Sequence, residues 1–426
     1  MRRTTGLRLV LLALCLTGCL FLSACLPLWL IHPVSETEPW TYPSLSTGLT
    51  AAPTTGRTTT APTEVTPAAT DLLRPDLDQP DAAFDAQVSR LILDSLRRRD
   101  AEVVLDPVFS VWLVDEAQIQ RLIDRVYACF TDVYQRHAAF FYLNGSFQIH
   151  YTILQSSRQN RISAMKLVPE FWSSTADLTD GQLDQLIRDV DREVTRIAAE
   201  IQAQTAEPRR QLTLLHDYLV REIAYDPQAD QANNHAGMAL LRGITLCQGY
   251  AQSFQLIGTR LGHEIRIISG ESDGVGHAWN LVTLDGVAYH VDVTHDDPTP
   301  DGGRDRPVRH VHLFRSDDIF RTTHTWEASA YPACPEDGAF FYYDEDLVAA
   351  DAADLKRQVE QFVKTHPFKS GQTGLLERLY TGSDLSQAAL EKILSDALQK
   401  YASGYTVYYR ADLQKRIVLM LISTRS

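Results

Sequence analysis

Two apolar runs, GHAWNLVTL and GVAYHVDVT, meet at Asp285-Gly286, and that dipeptide sets how the two can pair. Asp-Gly between such runs is the strongest short hairpin signal, because both residues of the favoured two-residue turn need positive φ. With those two residues as the loop, Leu284 faces Val287, and counting outward sets Asp292 across from Trp279. His277 and Asp292 then share one face as diagonal neighbours, about 7–8 Å apart at the backbone and closer at their tips. A carboxylate is thereby placed to orient an imidazole. A slip of one residue would send the two to opposite faces.

Upstream, TLCQGYAQSF opens a run in which Cys247, Tyr250, Ala251, Phe254, Ile257 and Leu261 recur at helical spacing, and Gly262 closes it. Cys247 falls in the first turn. There the unpaired backbone N–H groups and the helix dipole favour a thiolate, and the same N–H groups can hold an oxyanion. A cysteine taken alone is more often a small buried apolar residue. Followed by a strand histidine and an aspartate one strand on, Cys247 completes the nucleophile, base and orienter set of thiol catalysis.

The segments LCQGYAQSFQLIGTRLG, GHAWNLV and YHVDVTHDDP resemble, at matching spacing, the bacterial transglutaminase-like family of the papain-related superfamily. A lead-in LLHDYLVREIAYD and a trailing HLFRSDDIFRTTHTW extend the resemblance over about residues 211–326. It implies an α+β fold with a papain-like core, in which the helix-start cysteine packs on an antiparallel sheet carrying the histidine and the aspartate. By the same resemblance Cys247 is the nucleophile, His277 the general base and acid, and Asp292 the residue that orients it. The implied reaction is thiol-dependent acyl transfer on a peptide or protein amide, of cysteine peptidase or transglutaminase type, without a cofactor. His295 stands where the family often has tryptophan, which alters the cleft wall. Gln248, Tyr250 and Trp279 are candidates for the cleft wall or the oxyanion site, with the backbone N–H of Cys247 the favoured oxyanion donor.

Two rival readings stay open. The same cleft would serve a non-catalytic module that grips a peptide or a cell-wall component. A metal site is the other rival, since His290, Asp292, His295, Asp296, Asp297, His310, His312 and His324 crowd one region. No standard zinc spacing such as H-E-x-x-H occurs, so no metal is expected and the cluster reads as solvated loop histidines. Cys129, on an apolar helix face, reads as inert, and its pairing with Cys334 in an oxidising compartment is the lesser alternative.

Arg2, Arg3 and Arg8 precede an uncharged apolar run from Leu9 to Ile31, so residues 1–32 read as an export signal or membrane anchor. LSAC resembles the bacterial lipoprotein box and implies lipidation at Cys25. Cleavage at Cys19 instead would leave a second apolar stretch on the mature chain; an uncleaved span and simple secretion are the other options. Each puts the body beyond the cytoplasm, and all but simple secretion fix it to the outer face of the cell membrane. Residues 33–80, rich in Thr and Pro, read as a disordered linker with a reach of about 35–40 Å. The remainder divides into an N-terminal α/β segment (81–178), the core (179–330) and a small C-terminal α/β appendage (331–426). A formal charge of -14 argues against nucleic acid as a partner. The expected partners are a peptide or protein substrate, cell-wall peptide included, and the membrane through the N-terminal lipid or anchor.

Overall fold

The computed structural model describes residues 81–106, 112–113, 115–155, 160–226, 231–297, 307–338, 340–365, 373–383, 385–401, 405–412 and 416–424, with Ile31–Pro33, Thr55–Thr60 and residue 77. Cys19, Cys25 and nearly all of the apolar run lie outside them. Among the described residues no helix is long and apolar enough to cross a membrane.

At the centre is a four-stranded antiparallel sheet. Its order is Val287–Val291, Val275–Leu284, Ile265–Ser272 and the short edge strand His324–Thr325. Two Asp-Gly turns fold it: Asp273-Gly274 has φ 50° and 77°, and Asp285-Gly286 has φ 52° and 82°. In the second, Leu284 pairs with Val287 and Asn280 with Val291, which is the register the turn dictates. Gly270 lets the edge strand approach, since a Cβ there would collide with the Thr325 carbonyl and the Trp279 ring.

The helix Cys247–Arg260 packs on this sheet, backed by the helices Asp180–Gln204 and Pro208–Glu222. Thr179 and Gln182 form a reciprocal capping box at the start of the first backing helix, and Pro208 occupies the first turn of the second, where its missing N–H costs nothing.

The N-terminal segment contributes the helices Ala82–Arg98 and Glu116–Arg136 and a long hairpin, Leu143–Gln155 with Asn160–Phe171. Its apolar core is continuous with that of the cysteine helix, from Phe84 and Phe130 through Tyr250 and Phe254. Polar side chains of the cysteine helix also reach across. Gln255 accepts from the Ala138 N–H at 2.8 Å, and Gln252 donates to the Tyr134 hydroxyl at 3.0 Å. The C-terminal appendage supplies four strands of a five-stranded sheet and the helices Ala352–Thr365 and Gln387–Tyr401, closed over its own core of Leu355, Val359, Leu390, Leu394 and Met420.

Two pieces of the stretch read as signal and linker are strands. Ile31–Pro33 runs parallel to Tyr405–Asp412, and Thr55–Thr60 runs parallel to Leu143–Gln155. The reason is local: TGRTTT carries four β-branched threonines, which suit extended backbone, and an edge strand offers unpaired N–H and C=O groups to any such segment.

Candidate active site

Cys247 is the first residue of its helix, and the N-cap, Leu246, has no capping side chain. The Gly249 N–H is taken by Asn234 Oδ1 at 3.1 Å. Position 249 favours glycine, because a Cβ would run into the Thr245 side chain, which would have to shift. The Cys247 thiol is buried between the His277 imidazole and the backbone N–H of Ala278. Burial pushes its pKa up, but the hydrogen bond and charge of His277, with the Ala278 N–H, outweigh that and hold it below the ordinary thiol value.

His277 comes from the central strand and Asp292 from the residue just past Val291, where it N-caps the short turn Val293–Asp296. Asp292 Oδ1 accepts from the His295 N–H at 3.2 Å, and Oδ2 lies 2.8 Å from His277 Nε2. Engaging Nε2 leaves Nδ1 of His277 for the thiol. Burial opposes protonation of His277, yet the charge and hydrogen bond of Asp292, together with Cys247, carry its pKa up to about 10. Burial likewise opposes ionisation of Asp292, and the surrounding histidines, His295 and His277 foremost, hold it well below the usual carboxylate range. The arrangement can carry a thiolate and an imidazolium side by side in a water-poor setting.

His295 and His324 also reach Asp292: Nδ1 of His295 stands 2.6 Å from Oδ2 and Nε2 of His324 stands 3.1 Å from it. Sequence reasoning placed His295 only at the cleft wall and His324 only in the loop cluster, neither of them on Asp292. Nor did it find Tyr225, which is near enough for the charges of Cys247 and Asp292 to add to burial in raising its pKa. Its hydroxyl therefore keeps its proton. The available signal was its position, at the end of the lead-in LLHDYLVREIAYD.

The cleft and oxyanion candidates are otherwise engaged. Gln248 is buried near the Tyr134 hydroxyl, whose pKa it lowers against the larger effect of burial, and its Oε1 has no hydrogen-bond partner among the described residues. The Tyr250 hydroxyl sits on the Ile223 carbonyl at 3.0 Å and on the Asp297 carboxylate. Trp279 donates its indole N–H to His290 Nδ1 at 2.9 Å while its ring lies 5.9 Å from that of His277, nearly parallel to it. Trp279 thus backs the catalytic-type histidine, and Tyr250 belongs to the core. Neither offers a free donor beside Cys247.

The expectation of solvated loop histidines is overturned. His290, His310, His312 and His324 are all buried. Each has a carboxylate: His290 has Asp317 at 2.9 Å, His310 has Asp217 at 2.8 Å, and His312 has Asp296 at 3.0 Å, beside the His324 contact above. The cause is a fold-back that spacing does not reveal. His290 and Arg315 exchange backbone hydrogen bonds of 2.9 Å, and the Asp292 N–H donates to the His312 carbonyl at 3.1 Å. Cys129 and Cys334 are buried free thiols, each pushed up by burial, Cys129 to about 11.

The fold is α+β, with a helix-start cysteine packed on an antiparallel sheet. Residues 195–293 match the family model described as Transglutaminase-like superfamily, a stretch that takes in the end of the first backing helix, the whole of the second, Cys247, His277 and Asp292. Solved structures similar to the chain include a TGase, at 12% identity and TM-score 0.26, covering 38% of this chain and 54% of that one. A candidate cysteine protease from Cytophaga hutchinsonii is 11% identical, with TM-score 0.22 and coverage of 36% and 63%. The periplasmic domain of TgpA from Pseudomonas aeruginosa is 16% identical, with TM-score 0.22 and coverage of 33% and 56%. The chain thus spans between half and two thirds of the length of these structures. No curated protein sequence matches it.

Proposed function

We propose that this protein is a thiol-dependent acyl-transfer enzyme acting on peptide or protein amides at the extracytoplasmic face of the membrane, with Cys247 as nucleophile, His277 as base and acid, and Asp292 as orienter. The observation that carries the reading is the 2.8 Å contact of His277 Nε2 with Asp292 Oδ2, on a hairpin in the register its turn dictates, with the buried Cys247 of a helix start close enough to His277 for that imidazole to lower its pKa. The location rests on the charged and apolar pattern of residues 1–32.

In the reaction, the Cys247 thiolate attacks the amide carbonyl and the carbonyl oxygen becomes an oxyanion at the helix start, near the backbone N–H of Cys247. Collapse breaks the C–N bond, and the His277 imidazolium gives its proton to the departing amine. A thioester remains. Water or a second amine then attacks it, His277 takes the proton of that nucleophile, and the acid or new amide leaves with regeneration of the thiolate and imidazolium. Asp292 keeps the ring turned with Nε2 toward itself throughout.

The test is iodoacetamide alkylation at pH 7 with chelator present, read by mass spectrometry. Cys247 should react far faster than Cys129 and Cys334 in the same molecule, and the difference should fall sharply in His277→Ala. Equal, slow alkylation of all three thiols would leave the cleft a peptide-binding groove without chemistry.

A further inference from the structure

Asp292 has more nitrogen neighbours than orienting one histidine requires. Around its Oδ2 stand His277 Nε2 at 2.8 Å, His295 Nδ1 at 2.6 Å and His324 Nε2 at 3.1 Å. All four ligand-type atoms lie within 4.8 Å of one another. A tetrahedral ion with bonds of about 2.0–2.1 Å sets its ligand atoms roughly 3.3 Å apart. Small ring movements would therefore convert the hydrogen-bonded knot into a coordination shell. The ring centres, 4.7, 5.0 and 5.7 Å apart, already have the spread that three imidazoles need around one ion.

The outer partners are in place as well. His295 Nε2 meets the Ser272 hydroxyl at 3.0 Å, and His324 Nδ1 meets the Thr323 hydroxyl at 2.9 Å. Asp292 Oδ1 holds the His295 N–H at 3.2 Å. Such contacts fix the tautomer and direction of metal-binding imidazoles. The other buried His–carboxylate groups gather fewer imidazoles on one oxygen: Asp217 Oδ1 meets His216 at 3.2 Å and His310 at 2.8 Å, and Asp317 Oδ1 meets His290 at 2.9 Å.

We propose that His277, Asp292, His295 and His324 form a binding site for a zinc-class divalent transition ion, and that the bound ion switches off Cys247 by holding His277. One carboxylate and three neutral imidazoles are a ligand set that suits zinc. A metal on Nε2 leaves the ring a single proton, at Nδ1, and no free lone pair, so His277 can no longer accept a proton from the thiol or from water. The binding half stands on geometry alone; the switching half rests on the acyl-transfer reading.

The experiment uses the full chain stripped with chelator. In a Cys247→Ser background, where the thiol is absent, cobalt(II) should give the visible bands of a tetrahedral site at one equivalent, and zinc should displace it in calorimetry. His295→Ala and His324→Ala should each weaken zinc binding at least 10–100-fold, and Ser272→Ala, which leaves every ligand in place, should weaken it less. Circular dichroism on each variant checks that it is folded. Absence of saturable binding, or affinity unchanged in both histidine variants, overturns the site. In the wild type, one equivalent of zinc should stop turnover of p-nitrophenyl acetate, and His324→Ala should raise the zinc needed. Zinc binding with unaffected turnover overturns the switch. A wild type that binds zinc but never turns over the ester would contradict the acyl-transfer reading and, with it, the switch, while leaving the metal site standing.

Discussion

Glu377, in the C-terminal sheet, accepts the backbone N–H of His310 at 3.0 and 3.2 Å and faces its Nδ1 at 3.3 Å, while Asp217 of a core helix meets Nε2 at 2.8 Å. The Tyr342 hydroxyl completes the joint by donating to Glu377 at 2.9 Å. One imidazole therefore clamps the appendage to the core between two carboxylates.

That clamp makes stability depend on pH at both ends. Burial alone would lower the His310 pKa, but Asp217 and Glu377 carry it up to about 10. Its contribution is full below the unfolded value of about 6.5 and is lost as pH rises through about 10. Burial would raise Asp217, yet His216 and His310 hold it well below the carboxylate range, so its contribution is present above about 3.9 and lost as pH falls through its native pKa. Thermal unfolding across pH 3–10 should show a plateau with two falling limbs. Glu377→Gln should destabilise by about 3 kcal/mol at pH 7 and move the alkaline limb to lower pH. An unmoved limb would mean that His310 does not titrate in this way.

Asp292→Asn keeps the shape of the orienting residue and removes its charge. Acyl turnover should fall about 10²- to 10⁴-fold, the usual worth of a correctly held general base, with the fold retained by circular dichroism. A loss under threefold would show that His277 needs no carboxylate.

Gly249→Ala inserts a methyl group where Thr245 already packs. The expected outcome is a loss of about 1–3 kcal/mol by denaturant unfolding and slower alkylation of Cys247, since the helix start must shift. Wild-type behaviour on both counts would show that this turn yields freely.

Trp279→Phe retains the apolar ring behind His277 and removes the indole donor from His290. Leaving that buried nitrogen without its donor should cost about 1–3 kcal/mol, measured by the same unfolding method.

Much of this geometry was legible because it depends on neighbours in sequence. Asp285-Gly286 set the register, and with it the approach of Asp292 to His277; the Thr179–Gln182 box and Pro208 marked two helix starts. Asp273-Gly274 carries the same turn signal and went unread, although it folds the strand pair that positions His277. What spacing does not hold is the return of residues 307–316 over Val287–Val291, which buries His310 and His312 and turns an apparent loop cluster into an ion-paired one. His324 was hidden for the same reason: it arrives on an edge strand of two residues, too short for any periodicity. Tyr250 and Trp279 were recognisable as buried aromatics, but only coordinates show that Asp297 and His290 take their donors.

The order of the pieces along the chain has a temporal consequence. Synthesis delivers the cysteine helix before the histidine and aspartate strands, and these before the edge strand with His324. A nascent chain that ends before residue 287 carries a thiol whose imidazole has no carboxylate, so the nucleophile stays dormant until the hairpin closes. Alkylation of Cys247 on chains arrested before and after Asp292 would time that awakening.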